Sequence, residues 1–316
     1  MARHPLPPAD TDISPDGEVP SRSLLLGFLT SLRPDQWTKN LIVFAGLIFG
    51  QRLLEPSAMW TAIAAFAVFC GLSSAMYLLN DLLDLEEDRR HPAKRHRAIA
   101  AGQVPVPVAA VGAVGLVAVS LGAGFWVDTQ FGIVAAGFVA LLTAYSRFLK
   151  YLVILDVLSI SAGFVLRAAG GAVAVDVPIS PWLLVCTVLL SLFLALSKRL
   201  HELVSLGYTA ATNRQALAEY TPTLLGQLIT IVAGATLVSY AVYTAEPVTV
   251  AKFGTERLTW TFPFPIYGIF RYLYLLHRHQ GGSSPSETLL NDRPLLTCVV
   301  LWAGAIVLII YRPWSM

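Results

Sequence analysis

Charged residues are scarce in this chain of 316 residues: aspartate, glutamate, lysine and arginine make up only 13% of it, while 55% is hydrophobic. Soluble domains carry about 25% charged residues, so a soluble core cannot account for this composition. The three cysteines are far apart, which argues against a disulfide framework or a cysteine metal cluster. A net charge of +2, without a basic surface interleaved with aromatics, argues against nucleic-acid binding.

Long continuous apolar runs take the place of the missing charge. A helix needs about 20 mostly apolar residues to cross the bilayer, and nine stretches approach that length. They lie near 39–54, 58–79, 106–126, 129–146, 152–174, 180–199, 224–244, 258–276 and 294–312. None shows the period-two alternation of a membrane barrel strand. The predicted fold class is therefore all-α, a polytopic membrane protein with nine transmembrane helices.

The N-terminal segment differs from the rest in composition. It combines several prolines with Asp, Ser and Gly, and it lacks the apolar run and the cleavage site of a signal peptide. We predict a disordered tail over 1–30 and a single transmembrane catalytic domain over 31–316. Because no loop is long enough to fold separately, an active site has to be formed by helix ends and short loops.

Positive charge alternates strongly between successive loops. Cytoplasmic loops carry the excess of lysine and arginine, and 17 of the 22 such residues fall on one side if the N-terminus is placed there. The opposite side holds only Arg52, Lys252, Arg257 and Arg312. We therefore expect a cell-membrane protein with a cytoplasmic N-terminus and its active site at the cytoplasmic face.

An acidic block follows the second run, where the sequence reads Asn80-Asp81-x-x-Asp84-x-x-x-Asp88. On a helix Asn80, Asp84 and Asp88 share one stripe, and Asp81 lies beside it. Like charges at this spacing repel unless a cation lies among them, and Mg²⁺ prefers such oxygen ligands when it also binds a phosphate-bearing substrate. The pattern favours a Mg²⁺-diphosphate site. A solvated helix end balanced by nearby cations is the alternative, weakened because unpaired charge is costly at the membrane boundary.

Other ionisable residues interrupt the later runs. Asp156 and Arg167 lie in the fifth run eleven residues apart, so a helix places them on one face about three turns apart. Such groups in membrane helices usually face a cavity or a partner, which makes both functional candidates. A structural ion pair with a neighbouring helix is the alternative. Lys198 and Arg199 end the sixth run, where ordinary positive-inside anchoring explains them equally well.

Polar residues also surround the start of the first run. Arg33, Gln36, Trp37, Lys39 and Asn40 fit an interfacial tryptophan belt with a snorkelling lysine. They fit a set of anion ligands equally well. The sequence alone favours neither interpretation.

The acidic motif, followed by Lys94-Arg95-His96-Arg97, resembles the first signature of the UbiA superfamily of membrane prenyltransferases. The likeness extends over nearly the whole chain and implies nine helices around a central cavity open to the cytoplasmic face. Members bind an allylic diphosphate through Mg²⁺ held by two Asp-rich motifs. The second motif departs here, since Tyr145-Ser-Arg-Phe-Leu-Lys150 precedes a single Asp156 and Ile160 replaces the next acid.

Three segments look like the decaprenyl-phosphate phosphoribosyltransferase branch of the superfamily. They are this second motif, Arg33-Pro-Asp-Gln-Trp-Thr-Lys39-Asn40 and Ser197-Lys198-Arg199. This likeness implies transfer of 5-phosphoribose from phosphoribosyl diphosphate (PRPP) to a polyprenyl phosphate, with release of diphosphate. By the same analogy the product donates arabinose to cell-envelope glycans. Several anionic groups meet in such a site, which suits additional Lys and Arg.

The resemblance also implies roles for individual residues. We expect Mg²⁺ to be held by Asn80, Asp81, Asp84 and Asp88, with Asp81, Asp84 and Asp156 as catalytic carboxylates. Asp156 is expected to complete the metal site or to bind the ribose hydroxyls, and Tyr145 to line the sugar pocket. The expected substrate-binding residues are Lys39, Asn40, Lys94, Arg95, Arg97, Tyr145, Lys150, Arg167, Lys198 and Arg199.

Two other functions stay open at this point. A conventional aromatic prenyltransferase of the same superfamily would consume a prenyl diphosphate. A lipid or solute transporter belongs to a different class, which typically has its site near the midplane between inverted repeats. No convincing repeat is present, and the acids lie at helix ends, so the sequence argues against a transporter.

Overall fold

The computed structural model describes residues 23–91, 94–206, 215–278, 288 and 291–312. Every regular element within them is helical, which confirms the predicted all-α class. In chain order the α-helices are α1 (Leu24–Ser31), α2 (Phe44–Phe49), α3 (Pro56–Leu83), α4 (Leu85–Arg90), α5 (Val106–Val127), α6 (Thr129–Arg147), α7 (Leu155–Ala174), α8 (Pro181–Leu206), α9 (Gln215–Glu219), α10 (Pro222–Ala245), α11 (Pro247–Phe253), α12 (Pro263–Arg278) and α13 (Arg293–Tyr311).

Seven helices in the described residues are long and apolar enough to cross a membrane: α3, α5, α6, α7, α8, α10 and α13. The predicted count of nine is not confirmed, because two predicted runs are divided. The run at 39–54 comprises part of a 3₁₀ helix, Pro34–Val43, and the short α2. The run at 258–276 begins in a 3₁₀ helix, Arg257–Thr261, and Pro263 starts α12, which has only 16 residues.

The N-terminal end of the described chain is ordered earlier than the composition predicts. Helix α1 begins at Leu24, and the Ser23 side chain caps it by accepting a hydrogen bond from the Leu26 amide. Residues 24–30 therefore belong to a helix instead of a disordered tail, while residues 1–22 lie outside the described part. Arg33 then adopts a left-handed backbone, with φ 51°, before Pro34. A residue before proline is disfavoured in the right-handed helical region, which explains why α1 ends here.

Helix α3 carries the acidic block past the apolar layer. Its 28 residues give a length of about 42 Å at 1.5 Å per residue, which exceeds the roughly 30 Å hydrocarbon layer of a bilayer. The helix packs against α5 and, through smaller contacts, against α6 and α7. Its C-terminal turns therefore carry Asn80 and Asp81 to one end of the bundle.

A close backbone approach joins the N-terminal segment to α7. A Cβ atom on Gly171 would lie 2.0 Å from the Val43 carbonyl oxygen, and one on Gly46 would lie 2.6 Å from Cα of Ala172. Only glycine permits this contact, as is common where membrane helices pack closely. The contact brings Asn40 on the 3₁₀ helix beside Arg167, which lies one turn before Gly171 on α7.

Candidate active site

The predicted acidic stripe forms at the junction of α3 and α4. Asp81 is buried in the last turns of α3, and Asp88 is buried on α4. Asp84 is at the break between the two helices, with φ −95° and ψ 11°. The Asn80 side-chain amide donates a hydrogen bond of 3.0 Å to Asp84 Oδ2, so the two meet across one helical turn as the spacing predicts.

Each of the three carboxylates pairs with a cation from elsewhere in the chain. Arg33 Nη2 donates to Asp81 Oδ1 at 2.5 Å. Arg97 Nη1 bridges two acids, at 3.1 Å from Asp81 Oδ1 and 2.6 Å from Asp88 Oδ2. Lys150 Nζ lies 2.5 Å from Asp84 Oδ1. We call these residues, which are Arg33, Asn80, Asp81, Asp84, Asp88, Arg97 and Lys150, the outer cluster.

The outer cluster has the donor chemistry of a magnesium site. Asp88 Oδ1 is buried and accepts no hydrogen bond, and its nearest charged partner is Lys94 Nζ at 3.8 Å. Buried polar atoms are normally satisfied, so this oxygen is available to a ligand. Within the described ranges no three acidic, histidine or cysteine side chains converge on one point. Mg²⁺ is usually held by one or two carboxylates together with substrate phosphates and water, so the residues present fit it.

Lys150 links the second sequence motif to the first. It lies in a short 3₁₀ helix, Leu149–Tyr151, and is buried. Burial alone would lower the pKa of its ammonium group, but the hydrogen bond and charge of Asp84 raise that pKa above its ordinary value. Lys150 therefore stays protonated and holds Asp84 in place while no substrate phosphate is bound.

Asp156 forms a separate network on the other side of the second motif. It is fully buried, and both of its oxygens are occupied. Arg199 Nε donates to Oδ2 at 2.7 Å, and the Tyr220 hydroxyl donates to Oδ1 at 2.8 Å. Arg199 also bonds Glu202, and its Nη2 donates to the Tyr145 hydroxyl at 3.4 Å. The predicted residues Asp156, Tyr145 and Arg199 thus lie together, in a network that shares no hydrogen bond with the acidic stripe within the described residues.

Arg167 lies deeper in the bundle and contacts only neutral groups. Its Nε donates to Asn40 Oδ1 at 2.6 Å, its Nη2 to Ser73 Oγ at 3.3 Å, and its Nη1 to the Gly163 carbonyl at 3.1 Å. The guanidinium lies over the rings of two phenylalanines, the nearer being Phe138 at 4.5 Å. In the described part of the chain no carboxylate lies within ion-pair distance of Arg167.

Two lysines extend this positive region. Lys39 is half-buried in the 3₁₀ helix, outside the seven long helices, and no described side chain forms an ion pair with it. Burial, followed by the charges of Lys198 and Arg167, lowers the pKa of Lys39 to about 8. Lys198 on α8 has Glu202 at 3.8 Å. We call these residues, which are Lys39, Asn40, Ser73, Arg167 and Lys198, the inner cluster.

The fold does not bring all of the predicted residues together, and it adds neighbours that the predicted set did not include. Arg95 is exposed, and within the described residues its one hydrogen bond runs from Nε to the neighbouring His96 ring at 3.4 Å, so the fold does not bring it to the acids. Tyr220, Ser73 and, as a partner of Asp81, Arg33 were not in the predicted set. Arg33 was signalled by its position beside Lys39 and Asn40. Nothing in the sequence around Tyr220 indicates that its hydroxyl meets a carboxylate 64 residues earlier.

Comparisons with known proteins agree with this architecture. The UbiA prenyltransferase family matches residues 40–291. Decaprenyl-phosphate phosphoribosyltransferase of Corynebacterium glutamicum is 36% identical over 92% of this chain and 89% of its own. The protein of that name in Mycobacterium tuberculosis is 32% identical over 91% of this chain and 95% of its own.

A solved structure gives the same fold. A UbiA homologue from Archaeoglobus fulgidus bound to GPP and Mg²⁺ superposes with a TM-score of 0.67 at 17% identity, over 90% of this chain and all of that one. At this identity the likeness concerns the fold alone. The family match covers most of the chain, and the two phosphoribosyltransferases align over nearly its full length, so this chain belongs to the UbiA prenyltransferase family.

Proposed function

We propose that this chain transfers 5-phosphoribose from PRPP to a polyprenyl phosphate and releases diphosphate. The observation that carries the proposal is the mixture of charges in the site, where an acidic stripe is interleaved with Arg33, Arg97 and Lys150. Two phosphate-bearing substrates have to approach each other in this reaction, and lysine and arginine are the side chains that bind phosphates. Relatives with this activity in their names, at 32% and 36% identity, support the same conclusion.

The outer cluster is assigned to the diphosphate of PRPP. One or two of the carboxylates Asp81, Asp84 and Asp88, with Asn80 beside them, would hold Mg²⁺ together with the substrate diphosphate. The ion would neutralise the charge that develops on the departing diphosphate. Arg97 and Lys150 already form ion pairs with these carboxylates. Each can therefore exchange a contact with a carboxylate for one with a phosphate as the substrate binds. The cluster is thus held together before the substrate arrives, and its cations need to move little.

The reaction at the sugar needs no strong base from the protein. The bond between C1 and the diphosphate oxygen breaks, and its electron pair leaves with the diphosphate. An oxygen of the lipid phosphate, already an anion near neutral pH, forms the new bond to C1. The protein's contribution is to align the two phosphates on either side of C1 and to stabilise charge there.

Asp156 is assigned a positioning role. Asp156 is 0% exposed and lies between Arg199 and Tyr220, which donate to its two oxygens, so it is not open to a metal or a ribose hydroxyl. It fixes the Arg199 side chain on α8 and thereby the Tyr145 hydroxyl that Arg199 contacts. Tyr145 remains our candidate for the wall of the sugar pocket.

The membrane orientation follows from the same assignment. The charge rule places the loops and helix ends around the acidic block in the cytoplasm, together with those that hold Lys150, Lys198 and Arg199. The cations that follow the acidic block are Arg89, Arg90, Lys94, Arg95 and Arg97. PRPP is a soluble, highly charged molecule, so its site has to face the aqueous compartment that contains it. We therefore propose a cytoplasmic N-terminus, a site at the cytoplasmic face and one catalytic domain from α1 to the C-terminus.

One alternative function has a specific observation in its favour. Archaeoglobus fulgidus UbiA homologues of the same fold were solved with GPP or DMAPP and Mg²⁺. An aromatic prenyltransferase would therefore also use the acidic stripe. It has less use for the additional cations Arg167, Lys39 and Lys198, which a second phosphate would require.

The test is a reconstituted reaction. Protein purified in detergent is incubated with Mg²⁺, PRPP and decaprenyl phosphate, and released diphosphate and the lipid product are measured, the latter by mass spectrometry. We expect both products, and none with a prenyl diphosphate and an aromatic acceptor. The reverse preference would decide for the aromatic prenyltransferase.

Asp84→Asn tests the role of the stripe. It keeps the shape of the side chain but removes its charge, and turnover should fall by at least about 10²-fold, as when an electrostatic group acting on the transition state is lost. Glu86→Gln is the control, because Glu86 is exposed and its ion-pair partner among the described residues is the exposed Arg89. Full turnover in Asp84→Asn would remove the acidic stripe from the mechanism.

A further inference from the structure

The inner cluster has charge that the fold does not neutralise. Arg167 is 7% exposed, and its three hydrogen bonds go to an amide oxygen, a hydroxyl and a backbone carbonyl. Burying a cation without a carboxylate is costly, although the two aromatic rings reduce that cost. A site that retains such a cation is a candidate for binding an anion.

The guanidinium is fixed but not fully used. It has five N–H groups, and three hydrogen bonds leave two of them for a ligand. Stacking over Phe138 and the bond to Asn40 hold its plane. A fixed, planar fork of donors suits the oxygens of a phosphate group.

Lys39 provides a second free cation at the same place. No described side chain forms an ion pair with it, and the charges of Arg167 and Lys198 are close enough to act on it. Three cations therefore lie close enough to act on one another, and among the described acids only Glu202 lies within 4 Å of any of them, at Lys198. The outer cluster differs, because each of its acids already has a cation.

The two clusters are separated along one helix. Ser73, which contacts Arg167, precedes Asp81 by eight residues on α3, or about 12 Å along the axis. Tyr77 lies midway, and the Arg33 guanidinium is 4.8 Å from its ring centre. One face of α3 thus runs from the inner to the outer cluster.

We propose that the inner cluster is a phosphomonoester subsite, in which Arg167 and Lys39, with Lys198 beside them, bind the terminal phosphate of one of the two substrates. The inference rests on the proposed function, because both PRPP, through its 5-phosphate, and the polyprenyl phosphate carry such a group. The diphosphate of PRPP occupies the outer cluster, whose Asp81 lies eight residues further along α3 than Ser73 of the inner cluster. The separation lets a second phosphate bind without meeting the acids that hold the first.

The experiment measures KM for each substrate with the other saturating, in the wild type, Lys39→Met, Lys39→Arg and Arg167→Lys. Lys39→Met should raise KM for one substrate by about tenfold or more, the order expected for the loss of a charge-assisted hydrogen bond. Lys39→Arg should largely restore that KM. Arg167→Lys should raise KM for the same substrate, because a point charge cannot reproduce the fork of donors.

Lys252→Met is the matched control. It also removes one lysine charge, but Lys252 lies on α11, beyond the C-terminal end of α10, whereas Tyr220 and the Asp156 network lie at the N-terminal end of α10. Both KM values should stay at the wild-type level in this variant. Direct binding of PRPP alone, and of decaprenyl phosphate alone, to each purified variant gives a readout that does not depend on turnover.

The substrate whose KM changes identifies the source of the phosphate. A rise confined to decaprenyl phosphate assigns the subsite to the lipid, and a rise confined to PRPP assigns it to the 5-phosphate; either supports the proposal. Unchanged KM and binding for both substrates, or an equal rise for both as in a distorted bundle, would overturn it. If the wild type forms no product at all, the proposed function fails instead, so the two failures are distinguishable.

Discussion

The outer and inner clusters solve the problem of burying charge in opposite ways. In the outer cluster Asp81, Asp84 and Asp88 are each paired with a cation, so the fold neutralises the site before any ligand binds. In the inner cluster no described carboxylate forms an ion pair with Arg167 or Lys39, and only the more distant charge of Asp35 opposes the cations around Lys39. A ligand-free protein can therefore bury a charged site in two ways. Its own side chains can neutralise the charge, or the charge can be left for the ligand to neutralise.

The difference predicts that the outer cluster loses stability when a cation is removed, and this is the largest effect that we expect. Arg97→Met removes the hydrogen-bonded partner of Asp88, which is 1% exposed. Breaking a buried pair leaves an uncompensated charge, so unfolding free energy should fall by about 2–4 kcal/mol, below the top of the usual range because Arg97 is partly exposed. The thermal midpoint in detergent measures the loss.

Arg89→Met is the matched control for Arg97→Met. Arg89 lies on the same short helix as Asp88, but both it and its partner Glu86 are exposed. Exposed pairs contribute at most about 1 kcal/mol, so this variant should unfold close to the wild-type temperature. If the two variants lose equal amounts of unfolding free energy, the ion pairs of the outer cluster stabilise the fold no more than an ordinary surface pair does.

A smaller effect of the opposite sign is expected where counter-charge is supplied to the inner cluster. Asn40→Asp keeps the shape of a fully buried side chain whose oxygen already accepts from Arg167. A carboxylate there makes the hydrogen bond charge-assisted, so the ligand-free protein should gain about 1 kcal/mol. The variant loses the amide donor to Cys70 Sγ, which is a weak bond.

The same substitution should weaken binding while it strengthens the fold. A carboxylate beside Arg167 competes with the substrate phosphate, so affinity for the substrate that uses the inner cluster should fall by about tenfold or more. Asn40→Leu is the comparison, since it removes the hydrogen bond without adding charge and should lower stability. If Asn40→Asp is stabilised but binds both substrates with unchanged affinity, Arg167 does not take part in substrate binding.

How much of this could be predicted from the sequence depends on the distance between partners. The all-α fold and the meeting of Asn80 with Asp84 follow from apolar run length and four-residue spacing, which are local properties. The pairing of Arg33 with Asp81 spans 48 residues and depends on a left-handed turn before Pro34. The contact of Tyr220 with Asp156 depends on how α8 packs against both α7, which carries Asp156, and α10, which follows Tyr220.

The number of spanning helices fails for a related reason. Hydropathy shows that the run at 258–276 is apolar, but it does not show that a new helix begins within the run, at Pro263. Likewise the glycines at 46 and 171 let two backbones touch, and nothing in either local sequence identifies the other as its partner. Composition predicts whether a segment lies in the hydrocarbon layer of the membrane. Which other segments it contacts is set by tertiary packing.

The smallest predicted effect concerns the pH dependence of stability. The pKa of Lys39 is lowered from 10.5 to about 8 in the folded protein, first by burial and then by Lys198 and Arg167, with a smaller lowering by Arg33 opposed by Asp35. Between those two pKa values the unfolded chain binds more protons at Lys39 than the folded one, so stability should rise as pH increases from about 8 to 10.5. Since Lys39 is only half-buried, screening by solvent limits the gain to about 1 kcal/mol. The thermal midpoint of the wild type should rise across this pH range relative to that of Lys39→Met, which lacks the titrating group. If the two midpoints instead change in parallel with pH, Lys39 is already neutralised in the folded protein, and the contrast between the inner and outer clusters is wrong.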